Sequence, residues 1–128
     1  MKIQNVTLSV GALAGGNYPV TVNYTAHFSA VERFLAQNGL VFNEDVALFG
    51  EDAGSVTNLT AIVNAIIPIP GGVGPAVVAR NIMGQVPQAV LQEDPAAPHE
   101  IFARIRVTPT PPGLPFGDTG DSNVEGVV

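Results

Sequence analysis

The chain contains neither cysteine nor tryptophan among its 128 residues. Without cysteine, thiol catalysis, disulfide frameworks and thiolate zinc sites are excluded, although this absence does not identify a cellular compartment. Without tryptophan, a carbohydrate site would lack the largest aromatic stacking surface.

Charge is also scarce, because charged residues make up only 12% of the chain, about half of the usual share. Five basic residues stand against eleven acidic ones, and the net charge is −6. A surface of this sign repels phosphate backbones, so we expect no nucleic-acid binding. The sequence has no signal-peptide pattern and no apolar run near the length of about 18 residues that a membrane span requires, so we expect a soluble protein.

Apolar residues, by contrast, make up 46% of the chain, and its length is sufficient for one hydrophobic core. The clearest periodicity is PVTVNYTAHF, residues 19 to 28, where apolar and polar side chains alternate as in a half-buried antiparallel strand. The predicted core contains Val20, Val22, Tyr24, Phe28, Ile66, Phe102 and Ile105. The residues predicted to face solvent are Thr21, Asn23, Thr25 and His27.

Other strand-like runs are separated by Gly and Pro. They cover residues 2 to 10, 40 to 49, 58 to 68, 76 to 83, 88 to 92 and 99 to 109. The run at 58 to 68 is apolar on both faces, which favours a central strand joined to the next run by a wide hairpin loop. About seven short strands predict an all-β fold, an antiparallel two-sheet sandwich of immunoglobulin-like or jelly-roll-like form. We predict that this β-sandwich domain spans residues 1–108.

Residues 29 to 37 support two interpretations. Ser29 and Glu32 have the spacing of a capping box, and Gly39 would end a helix that follows it. However, Asn38-Gly39 between two apolar runs is a strong hairpin signal. We favour the hairpin, because the preceding strand has no clear terminator, but the sequence leaves helix and strand open.

The segment PIPGGVGPAVVA, residues 68 to 79, raises the question of a phosphate-binding loop. It resembles the proline-glycine signature of the methylenetetrahydrofolate dehydrogenase/cyclohydrolase family, which implies that Gly71, Gly72 and Gly74 lie beside a nicotinamide cofactor and that Pro75 opens a helix. The resemblance covers about a dozen residues, and the family's catalytic lysine has no counterpart, since the only lysine is Lys2. A dinucleotide fingerprint would also need a third small residue where Val77 stands. We therefore predict a structural turn and no cofactor.

Acidic residues form the other candidate site. The adjacent pairs Glu44-Asp45, Glu51-Asp52 and Glu93-Asp94 are interpreted as solvated loop caps. Asp121, Asn123 and Glu125 have the opening spacing of a calcium loop, but the sequence stops before the twelfth position, where a bidentate glutamate is required. We predict no metal site, and these three residues are the only metal candidates.

Catalytic machinery is not apparent in the sequence. His27 and His99 are far apart, and neither has a second ligand at metal-binding spacing. No nucleophile turn such as G-x-S-x-G occurs either. We therefore predict no catalytic residues and no enzymatic activity.

The last segment, residues 109 to 128, is rich in Pro and Gly and ends in apolar residues. Prolines favour an extended conformation, so less entropy is lost when such a segment lies across a partner. We predict a C-terminal arm that packs on a neighbouring subunit. Its predicted interface residues are Pro111, Pro112, Leu114, Phe116, Val124, Val127 and Val128.

These features favour a non-enzymatic structural or interaction β-sandwich, a subunit of a homo-oligomer or of a larger shell, appendage or filament. A surface with few charges supports this hypothesis, because charged side chains are what proteins use to block association between sheet edges. The expected partner is another copy of the chain, with no membrane, nucleic acid or small-molecule ligand. The alternative hypothesis is a module that binds a carbohydrate or a divalent cation through acidic loops at one end of the sandwich.

Overall fold

A computed structural model describes residues 1–52, 55–91, 99–111 and 114–127, without the side chains of residues 51, 52, 55–57, 91, 99 and 127. Within these residues the chain forms strands almost throughout. The elements are β1 (Lys2–Val10), β2 (Asn17–Phe28), α1 (Ala30–Ala36), β3 (Val41–Asp52), β4 (Ser55–Ile66), β5 (Ala76–Pro87), α2 (Gln88–Leu91), β6 (His99–Thr110), β7 (Asp118–Asp121) and β8 (Glu125–Val127). The run at 88 to 92, predicted as a strand, begins with the short helix α2.

The strands form two antiparallel sheets that pack on each other as a sandwich. One sheet has the order β1-β2-β5, and the other has the order β4-β3-β6-β7, with β8 also paired to β6. The strands β2 to β6 are each 12 residues long, about twice the common length. The predicted all-β, two-sheet sandwich is confirmed, with eight described strands where about seven were expected.

The core lies between the two sheets and is built from alternate residues of each strand. Along β2, every second side chain from Tyr18 to Phe28 is buried, because successive side chains of a strand point to opposite faces. Six of the seven predicted core residues are buried. The four polar residues of β2 that were predicted to face solvent are partly exposed, so the predicted register of this strand is confirmed.

The prediction that Ile66 belongs to the core is wrong, since Ile66 is 61% exposed while its neighbour Ile67 is only 3% exposed. The pairing of β3 with β4 shifts register twice, between Val46 and Ala47 and again between Leu48 and Phe49. Each extra residue in β4 reverses which of its side chains face the core. The inward face of β4 therefore cannot be extrapolated along the strand by simple alternation.

Residues 30 to 36 form helix α1, so the preferred hairpin interpretation of residues 29 to 37 is wrong. The capping box at the start of this helix is complete, because Ser29 Oγ accepts a hydrogen bond from Glu32 N and Glu32 Oε1 accepts one from Ser29 N. Gly39 follows the helix with φ +107°, a backbone conformation that favours glycine. The helix forms because these local contacts satisfy its end, while the apolar residues after Gly39 continue as β3.

Strand β4 is an edge strand, not the predicted central one. It belongs to a different sheet from β5, so residues 67 to 75 connect the two sheets and do not form the predicted hairpin loop. Adjacent strands in a hairpin would share hydrogen bonds, whereas β4 pairs with β3 and β5 pairs with β2.

The final segment belongs to the sheet of its own chain. Strand β6 continues through residue 108 to Thr110, and both β7 and β8 pair with β6. The predicted boundary at residue 108 therefore falls inside β6, and the strands described in the predicted arm, at 118–121 and 125–127, pair with β6 of the same chain.

Candidate functional site

The most distinctive feature of the surface is the set of sheet edges, because an open sheet presents unpaired backbone groups along its outermost strands. Two packed open sheets have four such edges. In this chain they are formed by β1 and β5 in one sheet, and by β4 and the β7–β8 segment in the other. Each edge differs in how its backbone groups are covered.

The edge of β1 is covered by side chains from the C-terminal segment. Asn123 accepts a hydrogen bond from Leu8 N at 2.9 Å and donates one to Leu8 O at 3.2 Å, so that its amide takes the place of a neighbouring strand. Further along, Asp118 Oδ2 accepts from Ile3 N at 2.8 Å. Gly120 allows this approach, because a Cβ atom there would lie 2.8 Å from Ile3 Cγ2.

The two edges of the other sheet are protected differently. Strand β4 contains the two bulge positions described above, and bulges twist an edge away from regular pairing. At the opposite edge, β7 has four residues and β8 has three. Very short edge strands offer little template to another chain.

Among the described residues, the edge of β5 has none of these protections. Its 12 residues pair with β2 without any register shift. The side chains on its outer face are uncharged and exposed, and they include Val77 at 61% and Met83 at 74% exposure. A long, regular, uncharged edge of this kind is a site for pairing with another strand.

The single charged residue of β5, Arg80, points into the sandwich. Its guanidinium donates two hydrogen bonds of 2.9 Å to the carboxylate of Glu44 on β3, and Tyr24 Oη of β2 donates a further one to Glu44 Oε2. The Glu44 side chain is 0% exposed and that of Arg80 is 22% exposed. The three side chains thus form a buried, mutually satisfied cluster that links the two sheets.

Two groups of this cluster, the Tyr24 phenol and the Arg80 guanidinium, have raised pKa values. Burial, followed by the hydrogen bond to Glu44, raises the pKa of the Tyr24 phenol above its ordinary value of 10.0. The hydrogen bond to Glu44 also raises the pKa of Arg80. Both shifts keep the protons on Tyr24 and Arg80 at neutral pH, so that both groups donate their hydrogen bonds to Glu44.

The glycine loop of residues 70 to 75 binds a cation of its own chain. Arg33 of α1 donates to the carbonyl oxygens of Pro70 and Gly71 at 2.9 and 2.8 Å, and at 3.3 to 3.4 Å to those of Val73 and Pro75. A phosphate cradle requires inward-pointing amides, whereas this loop directs carbonyl oxygens at a guanidinium.

The fit between the glycine loop and α1 requires glycine at particular positions. Gly72 and Gly74 have φ of +144° and +91°, and a Cβ atom on Gly72 would lie 2.5 Å from Arg33 Nη2. Pro75 is followed by strand β5, so the helix that the resemblance to the dehydrogenase/cyclohydrolase family implied is not present. The predicted structural turn is the arrangement found.

The three metal candidates are engaged with other side chains or backbone groups. Asp121 accepts two hydrogen bonds from Arg104, at 2.8 and 3.1 Å, and Arg104 in turn lies over the ring of Phe49. Asn123 binds the backbone of β1 as described, and its Nδ2 also donates to Glu125 Oε1 at 2.8 Å. Across the described parts of the chain, no three His, Asp or Glu side chains come together as metal ligands.

The other acidic pairs do not act as a group. Glu44 is buried in the core, so its interpretation as a solvated loop cap is wrong, while its neighbour Asp45 is exposed. The side chains of the pair at 51 and 52 lie outside the described residues, as do Glu93 and Asp94 entirely. The histidines are not brought together either, because His27 lies on β2 and contacts Thr25 Oγ1, whereas His99 lies at the start of β6.

The predicted assembly residues of the C-terminal segment lie in different environments. Pro112 and Val128 fall outside the described residues, and Pro111 follows the end of β6. Leu114 and Val124 are exposed, Phe116 packs partly against the core, and the backbone of Val127 pairs with β6.

A shallow depression of about 240 Å³ lies on the outer face of the β1–β2–β5 sheet. It lies where β1 departs from regular pairing near Asn5, whose φ is +56°. Its polar side chains satisfy each other, since Asn81 Nδ2 donates to Asn23 Oδ1 at 2.6 Å and Asn5 Nδ2 donates to Thr25 Oγ1 at 3.4 Å. With its polar groups already paired, the depression presents no strong binding chemistry.

Sequence reasoning missed the cluster of Tyr24, Glu44 and Arg80. The signal was present, because Glu44 alternates with Phe42 and Val46, which places a carboxylate on the apolar face of β3. A buried carboxylate requires a cationic or hydrogen-bonding partner. The sequence does not say which of the few basic residues supplies it, since that depends on how the two sheets pack.

Comparisons of the chain with protein-family models, with curated protein sequences and with solved structures gave no match. Neither helix in the described part of the chain is long and apolar enough to cross a membrane.

Proposed function

We propose that the chain is a non-enzymatic structural β-sandwich that associates with copies of itself in a homo-oligomer or a larger assembly. The observation that supports the proposal is the contrast among the four sheet edges. Three of them are covered by side chains, distorted by bulges or formed by very short strands, whereas β5 is long, regular and uncharged on its exposed face.

The position of Arg80 adds to this argument. A charged side chain on an edge strand, whether it points outward or inward, is a common device against association, because an added strand would bury its unpaired charge. In β5 the only charged side chain is turned inward and neutralised by Glu44. An added strand would therefore meet uncharged side chains and would not have to desolvate an ion on the outer face.

The experiment is light scattering on the full chain at micromolar to tens of micromolar concentration. We expect a mass larger than that of one chain. The double variant Val77→Lys/Met83→Lys, which places two charges on the exposed face of β5, is expected to shift the mass toward that of one chain while the β-sheet circular dichroism stays unchanged.

A matched control places the same charges elsewhere on the surface. Val31 and Phe34 on α1 are also apolar, with 60% and 64% exposure, so Val31→Lys/Phe34→Lys is expected to leave the mass unchanged. A monomeric wild-type chain would contradict the proposal, as would equal effects of the two double variants.

The alternative function, a module that binds a carbohydrate or a divalent cation, is tested by titration calorimetry against calcium and a panel of glycans. We expect no binding, because the described acidic side chains at positions 121 and 125 are already paired with Arg104 and Asn123. Micromolar binding by a monomer would favour the alternative.

A further inference from the structure

The pattern of hydrogen bonds between β2 and β5 determines which residues of β5 have free backbone groups. In an antiparallel pair, residues that exchange hydrogen bonds with the neighbour alternate with residues whose amide and carbonyl point away. Gln88 N donates to Gly16 O at 2.9 Å, and these residues continue the register in which Pro87 lies opposite Asn17. Even-numbered residues of β5 therefore bond to β2, and odd-numbered residues point away from it.

The other side of β2 leads to the same assignment. Pro19 O accepts a hydrogen bond from Gly11 N, which continues the pairing of β1, so odd-numbered residues of β2 are directed toward β1. Its even-numbered residues are then directed toward β5, and Val20 lies opposite Gly84 in that pairing. With respect to the described residues, the free edge of β5 consists of the backbone groups of Val77, Ala79, Asn81, Met83 and Gln85.

Prolines limit this free row at both ends. Pro75 and Pro87 occupy the next odd-numbered positions, and neither has an amide hydrogen to donate. Asn81 lies midway, six residues from each proline. The donor and acceptor pattern of the edge is therefore symmetric about Asn81.

We propose that two copies of the chain pair through β5 in antiparallel orientation, with the two-fold axis beside Asn81, to join their three-stranded sheets into one continuous sheet. This inference rests on the proposed function and specifies its interface. The symmetric row favours a second copy over an unrelated strand, because a two-fold interface requires the same surface to be complementary to itself.

The register between the two copies of β5 determines which residues lie opposite each other and how many hydrogen bonds they exchange. With Asn81 opposite its own copy, Val77 lies opposite Gln85 and Ala79 lies opposite Met83, which gives five pairs that exchange about ten hydrogen bonds. That number is typical of a specific protein interface.

Neighbouring registers are less favourable. Moving the axis to residue 80 would place Pro75 opposite Gln85, and moving it to residue 82 would place Pro87 opposite Val77. In either case the outermost pair at each end can form one hydrogen bond in place of two, because proline has no amide hydrogen to donate.

Within the molecule, β4 leaves this edge open. Strands β4 and β5 approach each other around a cavity of about 200 Å³ lined by residues 60 to 62 and 84 to 86. In the described part of the chain, the two strands share no ladder of hydrogen bonds. The side chains of all five residues in the free row are exposed.

Spin-label distances test the position of the axis. The chain has no cysteine, so Val77→Cys and Gln85→Cys each carry a single nitroxide label. In the proposed pair, each label is offset from its own copy by eight residues of strand, about 26 Å. We expect equal label separations in the two variants when they are measured by double electron–electron resonance.

Light scattering on the same labelled samples separates this inference from the proposed function. Unequal distances, or no dipolar coupling, in a sample that is dimeric or larger would overturn the β5 interface and leave self-association standing. Monomeric samples, if the unlabelled wild-type chain is monomeric too, would overturn both. If only the labelled variants are monomeric, loss of assembly at both sites of the free row supports the interface.

A proline variant provides an independent test. Asn81→Pro removes the central amide of the free row but none of the hydrogen bonds between β2 and β5. We expect it to weaken association at least tenfold with an unchanged circular dichroism spectrum. Asn81→Ala, which loses the same side chain but keeps the amide, is expected to associate like wild type, and equal association of the two variants would overturn the inference.

Discussion

Glu44 of β3 and Arg80 of β5 form an ion pair across the interior of the sandwich, joined by two hydrogen bonds of 2.9 Å. The pair connects an edge strand of one sheet to an inner strand of the other. It also turns the only charged side chain of β5 inward, where 22% of that side chain stays exposed. A single interaction thus contributes to the packing of the sheets and to the uncharged character of the exposed edge.

Removing one partner of this pair is expected to be strongly destabilising. Arg80→Met leaves Glu44 buried without its cation, which should lower the free energy of unfolding by about 3 to 5 kcal/mol. The triple variant Tyr24→Phe/Glu44→Leu/Arg80→Met removes every polar group of the cluster and should recover most of that loss. Urea unfolding measures the free energy of unfolding of the single and the triple variant. A decrease below about 1 kcal/mol for Arg80→Met would contradict a tightly coupled pair.

Alkaline pH is expected to destabilise the protein through Tyr24. Its pKa is raised in the folded state above the ordinary value of 10.0, so its contribution to stability is fully present below pH 10 and is lost as pH rises toward the folded pKa. For one such group the slope approaches about 1.4 kcal/mol per pH unit. Tyr24→Phe should therefore show a shallower loss of stability between pH 9 and pH 11 in urea unfolding. Parallel curves for the two proteins would rule out this contribution.

Alanine substitutions at two adjacent positions of the glycine loop, Gly71 and Gly72, are expected to lower stability by different amounts. Gly72→Ala must place a Cβ atom against Arg33 at a positive φ, and we expect it to lower stability by about 1 to 3 kcal/mol. Gly71→Ala is the control, because its φ is not positive and its Cβ atom would lie 3.6 Å from Gln37 Oε1. Thermal unfolding compares them, and equal midpoints would mean that the contact with Arg33 does not constrain the loop.

The cover on the β1 edge depends on Asn123. Asn123→Ala leaves both backbone groups of Leu8 without their partner, which should cost about 1 to 3 kcal/mol and open a second edge to association. Glu125→Gln is the control, since its side chain still accepts from Asn123. Light scattering should show additional large species for the alanine variant alone, and their absence would argue against a protective role of Asn123.

Much of the fold could be predicted from local patterns. The alternation along β2 identified its buried face correctly, because β2 pairs with β5 in one register and the extra residue in its pairing with β1 lies in β1. The complete capping box at Ser29 and Glu32 likewise predicted α1, although the competing Asn38-Gly39 signal was given more weight. These features depend on residues that are close together in the chain.

The candidate site could be predicted only in general terms. A low number of charged residues favoured the hypothesis of association, and the sequence analysis placed its interface on residues 109 to 128. The described strands of that segment pair with β6, and our proposal places the interface at β5. Which strand lies at an edge is a property of sheet order, and sheet order is determined by contacts between distant parts of the chain.

The sequence by itself determined the class of the fold, since its apolar and polar residues alternate with the period of a strand and Gly and Pro separate these runs. It also determined that Glu44 needs a partner, because it lies on an apolar face. Only the tertiary structure decided that this partner is Arg80, that Asn123 covers β1, and that β5 has no second neighbouring strand in the described part of the chain. Local propensity acts along the chain, whereas these three outcomes depend on which surfaces the two sheets bring together.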